Sequence, residues 1–395
     1  MYVGATNRVY QLTGDLRVEQ IVDTGPRLDN AMCPPPTSEC QCFGPNCAQS
    51  QKSLTHAVNR ALVVDRRRRR LLVCSSLFQG HCDWHDLANI TLTEPPIWQM
   101  VVPNDRRSSV VMFIAPGPPN PASTDVLYVA ATRSTVGLPA YRDIVPSVCI
   151  RNLHDLGLVS DDILTPSRLD VEVQQRDVFR VEFISGFASM GFSYFLAVQR
   201  ASAVADADHY VTHIARVCQN DRSMTSYVEI PLHCRAAASG RHFDVLTAAY
   251  LVHPGADLSR SLGLSDAKPV TDLEHTLVAV FADRRVPEGP STPEDLAPPD
   301  AALCVFPMTD IRREFTTTTQ SCFRGNGSTG PDHYVQPKTC YKTVSHFDLS
   351  LFLPRDAMHK CGLCFRAVSV RPSVRHIRLS CRNKYTYSQS FFTIG

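Results

Sequence analysis

The 395-residue sequence contains no long apolar stretch, which limits how the chain relates to a membrane. No segment is long and apolar enough to span a bilayer, since a spanning helix needs about 20 apolar residues. The opening residues, MYVGATNRVYQL, lack the basic and apolar regions of a secretory signal. Together with an abundance of cysteine, these absences lead us to expect a piece, or an incomplete gene product, of a secreted or membrane protein.

The sequence also lacks an excess of basic charge. It has 40 lysines and arginines against 38 acidic residues, whereas a protein whose main task is to coat phosphates is clearly basic. The five consecutive arginines Arg66–Arg70 are therefore a local feature. They stand between the apolar runs LVVD and RLLVC, which predicts a charged turn joining two strands. An intracellular nucleic-acid binder that uses this run stays open as an alternative.

Motifs for catalysis and for metal or phosphate binding are missing as well. The sequence has no Gly-x-Ser-x-Gly, no His-Glu-x-x-His and no glycine loop of the phosphate-binding kind that leads into a helix. Cys361 and Cys364 form a single Cys-x-x-Cys pair, whereas a structural zinc site needs four ligands. The segment His81–His85 would bind a metal only if Cys82 were a free thiol. We therefore expect no enzyme, no cofactor and no metal.

Cysteine, by contrast, is abundant. The chain has 15 cysteines, and many stand in close pairs separated by turn-like residues. In an apolar, β-rich chain such pairs indicate disulfides and hence an oxidising compartment, with buried free thiols as the alternative. Two glycosylation sequons, at Asn89 and Asn326, agree with that compartment. The close pairs are Cys33 and Cys40, Cys42 and Cys47, Cys74 and Cys82, and Cys218 and Cys234.

Short apolar runs bounded by turn residues recur along the chain and predict β-strands. Helical periodicity is scarce, and only 309–315 predicts a helix, capped by Thr309 or Asp310. Many antiparallel strands with few helices indicate a sandwich array or a β-propeller. The propeller suits a chain of this length because radial repetition protects the sheet edges. The predicted strands are 8–12, 61–65, 70–74, 110–115, 125–132, 177–188, 192–200, 210–218, 226–232, 246–252, 275–282 and 302–308.

Several stretches taken together resemble the sema domain of plexins, the semaphorin receptors. YVGATNRVYQL is followed by DTGPRLDN and by Cys33 with three prolines, and LVVDRRRRRLLVC is followed by the motif Gln-Gly-x-Cys. The blocks 179–199, 214–234 and 303–322 then occur in the plexin order. The resemblance covers about residues 1–343. It implies an all-β, seven-bladed β-propeller without a catalytic centre, which acts as the ligand-binding head of a cell-surface receptor.

The resemblance also implies roles for individual cysteines. Cys33–Cys40 and Cys74–Cys82 are similar to the first two plexin disulfides, and Cys234–Cys322 is similar to the long-range one. Cys42 and Cys47 depart from the usual pattern, so they pair with each other or exchange partners with Cys33 and Cys40. Cys218 and Cys340 would find partners in a plexin segment that this sequence lacks.

The pattern breaks after Thr343. Residues 344–395 lack the plexin continuation and resemble translated repetitive genomic elements, so we interpret them as read-through of such an element or of an intron. On this interpretation, residues 1–343 are a partial sema domain without its last blade or so. The tail is then expected to be poorly ordered, and the chain alone to be prone to aggregation because unclosed blades expose strand edges.

The resemblance implies an extracellular module on the plasma membrane that binds semaphorins and signals in axon guidance and cell migration. The loops 34–53 and 201–209 are candidate binding surfaces because both are polar. Further expected partners are a second receptor copy and, through the basic turn Arg66–Arg70, a glycosaminoglycan. Within that turn, Arg66–Arg69 connect the strands and Arg70 begins the second. A secreted or membrane semaphorin-type ligand of the same fold is the alternative.

Overall fold

The computed structural model describes residues 1–33, 52–163, 165–201, 209–236, 239–264, 275–283 and 300–323. Within them, five antiparallel sheets follow one another along the chain, each made of strands in consecutive order. The first is β1 (Tyr2–Ala5), β2 (Arg8–Leu12) and β3 (Val18–Asp23), and we call it blade A. Blade B is β6 (Asn59–Asp65), β7 (Arg70–Ser75), β8 (His81–Asp86) and β9 (Ile97–Met100).

Blades C and D have four strands each, and blade E has three. Blade C is β10 (Val110–Pro116), β11 (Asp125–Ala131), β12 (Val148–Arg151) and β13 (Arg168–Leu169). Blade D is β14 (Val181–Ser189), β15 (Phe192–Arg200), β16 (Tyr210–Cys218) and β17 (Val228–Pro231). Blade E is β20 (Val245–Val252), β21 (Thr276–Ala282) and β22 (Ala301–Pro307).

Two short ribbons and three helices lie between or after the blades. The ribbons are β4 (Arg27–Asp29) with β5 (Ser53–Thr55), and β18 (Cys234–Arg235) with β19 (His242–Phe243). The helices are α1 (Pro139–Arg142), α2 (Ala256–Ser261) and α3 (Met308–Phe323). None of the helices in the described ranges has the length and apolarity that crossing a membrane requires.

The blades are arranged radially. The first strand of each blade contacts the first strand of the next, in the order β1, β6, β10, β14, β20. These strands run in the same direction, because the residues around their starts lie together. The Arg60 side chain donates to the carbonyl of Arg106 at 2.8 Å, and Arg180 donates to the carbonyl of Arg107 at 2.7 Å. Parallel first strands in side-by-side sheets are the architecture of a β-propeller.

The middle strands β7, β11 and β15 of blades B, C and D are buried on both faces, which explains their continuous apolar sequence. In β15, every residue except the first and the last is buried. Phe195 lies in one core cluster with Tyr128 of blade C, whereas Leu196 lies in another with Phe281 of blade E. Successive side chains of a strand point to opposite faces, so each blade needs apolar residues at consecutive positions.

The structure confirms the predicted all-β propeller, with five of the seven predicted blades in the described residues. The predicted strands 8–12 and 192–200 coincide with β2 and β15. The predicted helix 309–315 corresponds to α3, which extends to Phe323. The predicted domain boundary at 343 and the tail 344–395 lie outside the described residues.

The Gln-Gly-x-Cys motif forms a tight loop that joins two parts of the propeller. Phe78, Gln79 and Gly80 have φ angles of 51°, 62° and 89°. This conformation buries the Gln79 amide, which donates to the carbonyls of Ala31 at 2.8 Å and Cys33 at 2.7 Å. The Gln79 side-chain oxygen also accepts a hydrogen bond of 2.7 Å from a neighbouring asparagine. At Gly80, an added Cβ would lie 1.5 Å from the Val102 carbonyl oxygen.

Replacement of Gly80 by alanine should therefore destabilise the fold strongly. The positive φ angle costs about 1–2 kcal/mol for a residue with a Cβ, and the clash with backbone adds about 1–3 kcal/mol. Gly191→Ala is the matched control, since Gly191 has a φ of +82° but no atom within 4 Å of its added Cβ. Denaturant unfolding of the secreted chain should show a clearly larger loss of unfolding free energy for Gly80→Ala than for Gly191→Ala. Equal losses of unfolding free energy in the two variants would contradict this account of the loop.

Candidate interaction surfaces

The propeller has two opposite faces, and its topology assigns each loop to one of them. Because the first strands are parallel and each blade is an antiparallel meander, consecutive connections alternate between the faces. The face at the starts of the first strands, here called the start face, carries the loops 76–80, 101–109, 132–147 and 170–180 and the residues Ala201 and His209. The opposite face, here called the turn face, carries 66–69, 87–96, 117–124, 152–167 and 190–191.

The basic turn lies on the turn face of blade B. Asp65 ends β6, pairs with Arg70 in the strand register and is only 2% exposed. Its carboxylate accepts hydrogen bonds from the backbone and the side chain of Arg68. Arg66–Arg69 are all exposed, and Arg67 forms an ion pair of 3.0 Å with Asp125 of blade C. The turn thus presents four exposed arginines in succession, of which Arg68 also binds the buried carboxylate of Asp65.

Arg70 begins β7, as predicted, but its burial removes it from the basic turn in which the prediction had included it. It is 8% exposed, and its guanidinium carbon lies 3.8 Å from the centre of the Trp84 ring. It also pairs with Asp65 at 3.3 Å and with Glu94 at 3.0 Å. The Arg70 side chain points into the blade because alternate strand residues face inwards and Asp65 offsets its charge. The exposed part of the run is Arg66–Arg69.

Arg70→Met should therefore destabilise the protein, whereas Arg66→Met should not. Removing Arg70 leaves the Asp65 carboxylate buried without this partner, and breaking a buried pair in this way costs about 3–5 kcal/mol. Arg66 is exposed, so its replacement should change the unfolding free energy by less than about 0.5 kcal/mol. Denaturant unfolding of both variants measures the difference, and similar values for the two would refute the structural role of Arg70.

The Asn89 sequon occupies the β8–β9 connection, beside the basic turn. The backbone N–H of Leu87 donates to the carbonyl of Arg69 at 3.0 Å, so the two loops are in contact. The Asn89 side-chain oxygen accepts a hydrogen bond of 2.7 Å from the Thr91 hydroxyl. Thr91 is exposed and Asn89 is half-buried, so the sequon lies at the surface. Glycosylation here stays a prediction, and Asn326 lies outside the described residues.

Expression of the chain through a eukaryotic secretory pathway should attach a glycan at Asn89. Asn89→Gln should then migrate faster on a denaturing gel by about the mass of one glycan, and enzymatic removal of N-glycans should abolish the difference. Thr91→Ser preserves the sequon and serves as the control. Identical migration of Asn89→Gln and the unsubstituted chain would show that the site is not used.

The structure shows two complete disulfides among the described residues. Cys74 and Cys82 face each other across β7 and β8, with their Cα atoms 4.1 Å apart. Cys234 of β18 is bonded to Cys304 of β22, with a Cα separation of 5.9 Å. The implied Cys234–Cys322 pairing is therefore wrong. The reason is that β22, which carries Cys304, lies against β18, which carries Cys234.

Other cysteines show further departures from the implied pattern. Cys33, Cys218 and Cys322 are also disulfide-bonded, to cysteines outside the described residues. Cys218 thus has a partner, contrary to the expectation that its partner would be missing. Seven of the eight described cysteines form disulfides, and Cys149 is a buried free thiol. These seven disulfide-bonded cysteines contradict the alternative in which the cysteines are buried free thiols. The predicted roles of Cys40, Cys42, Cys47 and Cys340 fall outside the described residues.

The segment His81–His85 does not assemble a metal site. Cys82 is a disulfide sulfur. Nε2 of His81 lies 2.8 Å from the carboxylate of Asp83, and Nδ1 of His85 lies 2.7 Å from the Ile90 carbonyl. Across the described part of the chain, no three or more histidine, cysteine or acidic side chains converge on a common point. One ring nitrogen of each histidine in this segment is therefore used in an internal contact.

A cavity of about 160 Å³ lies between blades C and D on the start face. Its walls carry an ion-pair network, in which Asp143 is bound by Arg133 and by Arg176, the latter at 2.9 Å. Arg133 also contacts Asp177 at 2.9 Å. Burial raises the pKa of Asp170, also in the wall. The network ties the loop 132–147 to the loop 170–180 and so fixes two loops of the start face.

Two histidines that the sequence analysis did not single out meet at the end of blade E. The Nε2 atoms of His253 and His275 are 2.9 Å apart, and their ring centres are 3.9 Å apart. Sequence could have suggested the pair, since each histidine borders a predicted apolar strand. The predicted binding loops 34–53 and 201–209 lie mostly outside the described residues, but their flanking residues Cys33 and Ala201 are on the start face.

Comparison with known proteins places these features in context. No protein-family model matches the sequence. The chain is 30% identical to human Plexin-A2 over 356 residues, which covers 83% of the chain and 17% of that protein. It is 31% identical to zebrafish (Danio rerio) Plexin-A4 over 353 residues, with the same shares covered. The chain therefore spans about a sixth of the length of these curated relatives. It also matches the solved extracellular region of Plexin A4 with a TM-score of 0.70 and 26% identity, over 88% of the chain and 34% of that structure.

Proposed function

The chain belongs to the plexin family over the region that aligns with plexin ectodomains, and we propose that this region is the ligand-recognition domain of a plexin-like receptor. The observation that carries the proposal is the radial array of antiparallel blades, which aligns with the Plexin A4 extracellular region. Seven disulfide-bonded cysteines support an extracellular position. On this proposal, the ligand is a semaphorin, and binding signals in axon guidance and cell migration.

The same proposal assigns the domain a binding role without catalysis. The charged clusters of the described residues serve the fold: Arg70 neutralises Asp65, and Arg133 and Arg176 bind Asp143. Cys82 is bonded to Cys74 in a disulfide and is therefore not a free thiol. A semaphorin-type ligand is the less favoured alternative, because the curated relatives and the well-aligned solved structure are plexins.

We place the semaphorin-binding surface on the start face. Gln79 anchors Ala31 and Cys33, from which the loop 34–53 departs. Ala201 follows the end of β15 and His209 precedes the start of β16, so both flanks of 202–208 are on the start face. Cys33 and Ala201, which precede the undescribed parts of the two predicted binding loops, are therefore on the same side of the propeller. The ion-pair network between blades C and D fixes two more loops there.

Surface plasmon resonance with a semaphorin panel from the same organism tests this proposal. The immobilised protein is a secreted ectodomain that contains this chain, and at least one semaphorin should bind. Replacing 202–208 with a glycine-serine linker of equal length should weaken that binding, because the loop is placed in the interface. The variant Arg66→Ser/Arg69→Ser, altered on the turn face, should bind as the unsubstituted domain does. Absence of binding to the whole panel would overturn the proposal.

A second proposed partner is a sulfated glycosaminoglycan, bound by the basic turn. Four exposed arginines in succession concentrate positive charge on the turn face. Attraction between exposed charges is screened by salt, so this contact should weaken steeply as ionic strength rises.

Heparin chromatography should reveal the contribution of the basic turn. Arg66→Ser/Arg69→Ser should elute at a clearly lower salt concentration than the unsubstituted chain. The matched control is Arg17→Ser/Arg106→Ser, which removes the same charge from exposed arginines on the start face. If both double variants elute together, net charge alone governs retention and the basic turn is not a specific site.

A further inference from the structure

The outermost strand of blade B presents a tryptophan to solvent. Trp98 is 52% exposed, whereas the chain's other tryptophan, Trp84, is 1% exposed. The β8–β9 ladder skips two residues of β9 between Ile97 and Met100, so Trp98 lies in a bulge. A bulge turns a side chain away from its regular position in the sheet. Part of the Trp98 ring is therefore available to another molecule.

Two aromatic neighbours hold the Trp98 ring in place. Its centre is 4.9 Å from that of His81 and 6.3 Å from that of Phe78, whose ring is at 89° to it. The backbone N–H of Phe78 donates to the Asp29 carboxylate at 2.8 Å. A side chain that is already held loses little conformational entropy when a partner binds to it. Trp98 is therefore preorganised for contact.

A carboxylate lies beside this aromatic group. Nε2 of His81 is 2.8 Å from Oδ1 of Asp83, so the imidazole bridges the Trp98 ring and the carboxylate. The Asp83 side chain is 40% exposed. An aromatic face attracts a cation, and so does a carboxylate. The surface around Trp98 thus combines two groups that favour a positively charged partner.

The interior of the same blade shows how such a combination holds a cation. The Arg70 guanidinium carbon lies 3.8 Å from the centre of the Trp84 ring, and Arg70 Nε lies 3.3 Å from the Asp65 carboxylate. Trp98 and Asp83 repeat the two partners of Arg70 at the surface. We propose that Trp98 and Asp83 form a recognition site for an arginine or lysine side chain of a protein ligand.

The site borders the surface assigned to semaphorin. Phe78, which packs against Trp98, belongs to the start-face loop 76–80. The inference therefore rests on the proposed function, and it adds that the semaphorin inserts a basic side chain beside blade B. Tryptophan is enriched among the few interface residues whose truncation costs most of the binding energy. Trp98 is then an anchor of the interface.

Surface plasmon resonance with the secreted ectodomain and the semaphorins of the panel tests this site. Trp98→Ala should weaken binding by about tenfold or more. Trp98→Phe keeps an aromatic face and should lose less, and Asp83→Asn should weaken binding by about twofold to fivefold. Leu92→Ala is the matched control, because Leu92 is 59% exposed on the turn face of the same blade. It should bind as the unsubstituted domain does.

A double-mutant cycle identifies the partner side chain. Alanine replacement of each surface arginine and lysine of the bound semaphorin should reveal one whose loss has little further effect on Trp98→Ala, because contacting residues are not additive. Thermal unfolding separates a lost contact from a lost fold. Since Trp98, Asp83 and Leu92 are all partly exposed, the four variants should melt near the temperature of the unsubstituted domain.

The possible failures of the two proposals are distinct. If no semaphorin of the panel binds, the proposed function falls and the recognition site falls with it. If a semaphorin binds and both Trp98 variants retain full affinity, only the recognition site is overturned. If Trp98→Ala weakens binding but couples to no arginine or lysine of the ligand, the assignment of a basic side chain is wrong.

Discussion

Burial of each blade between its two neighbours is the constraint on which the rest of the structure depends. The middle strands of blades C and D are covered on both faces, so β11 and β15 carry apolar side chains at successive positions. Burial of a large apolar side chain stabilises by about 1.5–3 kcal/mol, which makes these strands the principal source of stability. Because the middle strands must stay apolar, residues that could vary for ligand recognition are confined to the two faces and the outer strands.

The same two-sided burial explains how much of the fold the sequence predicts. A run such as FSYFLAVQR is predicted as a buried strand bounded by turns, and its limits coincide with β15. The sequence does not predict which residue a side chain packs against. Cys234 bonds Cys304 rather than Cys322 because β22 passes beside β18, and this proximity depends on the placement of whole blades. Arg70 follows the same rule, since its environment comes from Trp84 and Glu94, which are distant in sequence.

The buried arginines Arg70 and Arg216 of this propeller both pack against aromatic rings. The Arg216 guanidinium lies between two aromatic rings, 4.2 Å from the centre of Phe192 and 4.4 Å from that of Phe315. Burial lowers its pKa, and burial also raises the pKa of the neighbouring Tyr194. Aromatic faces attract a cation most strongly where water is excluded. Phe315 belongs to α3, so this contact helps to dock the helix against blade D.

The placement of charge on the two faces bears directly on how the domain would use them. On the start face, Asp143, Arg133 and Arg176 neutralise one another and so hold loops in position. On the turn face, the carboxylate of Asp65 is shared by Arg68 and Arg70, while Arg66 and Arg69 are exposed at the surface. The first arrangement favours recognition by shape, and the second favours a contact that depends on charge and salt. Because the two arrangements lie on opposite faces of the propeller and on different blades, a protein ligand and an acidic polymer would meet separate surfaces and would not compete directly.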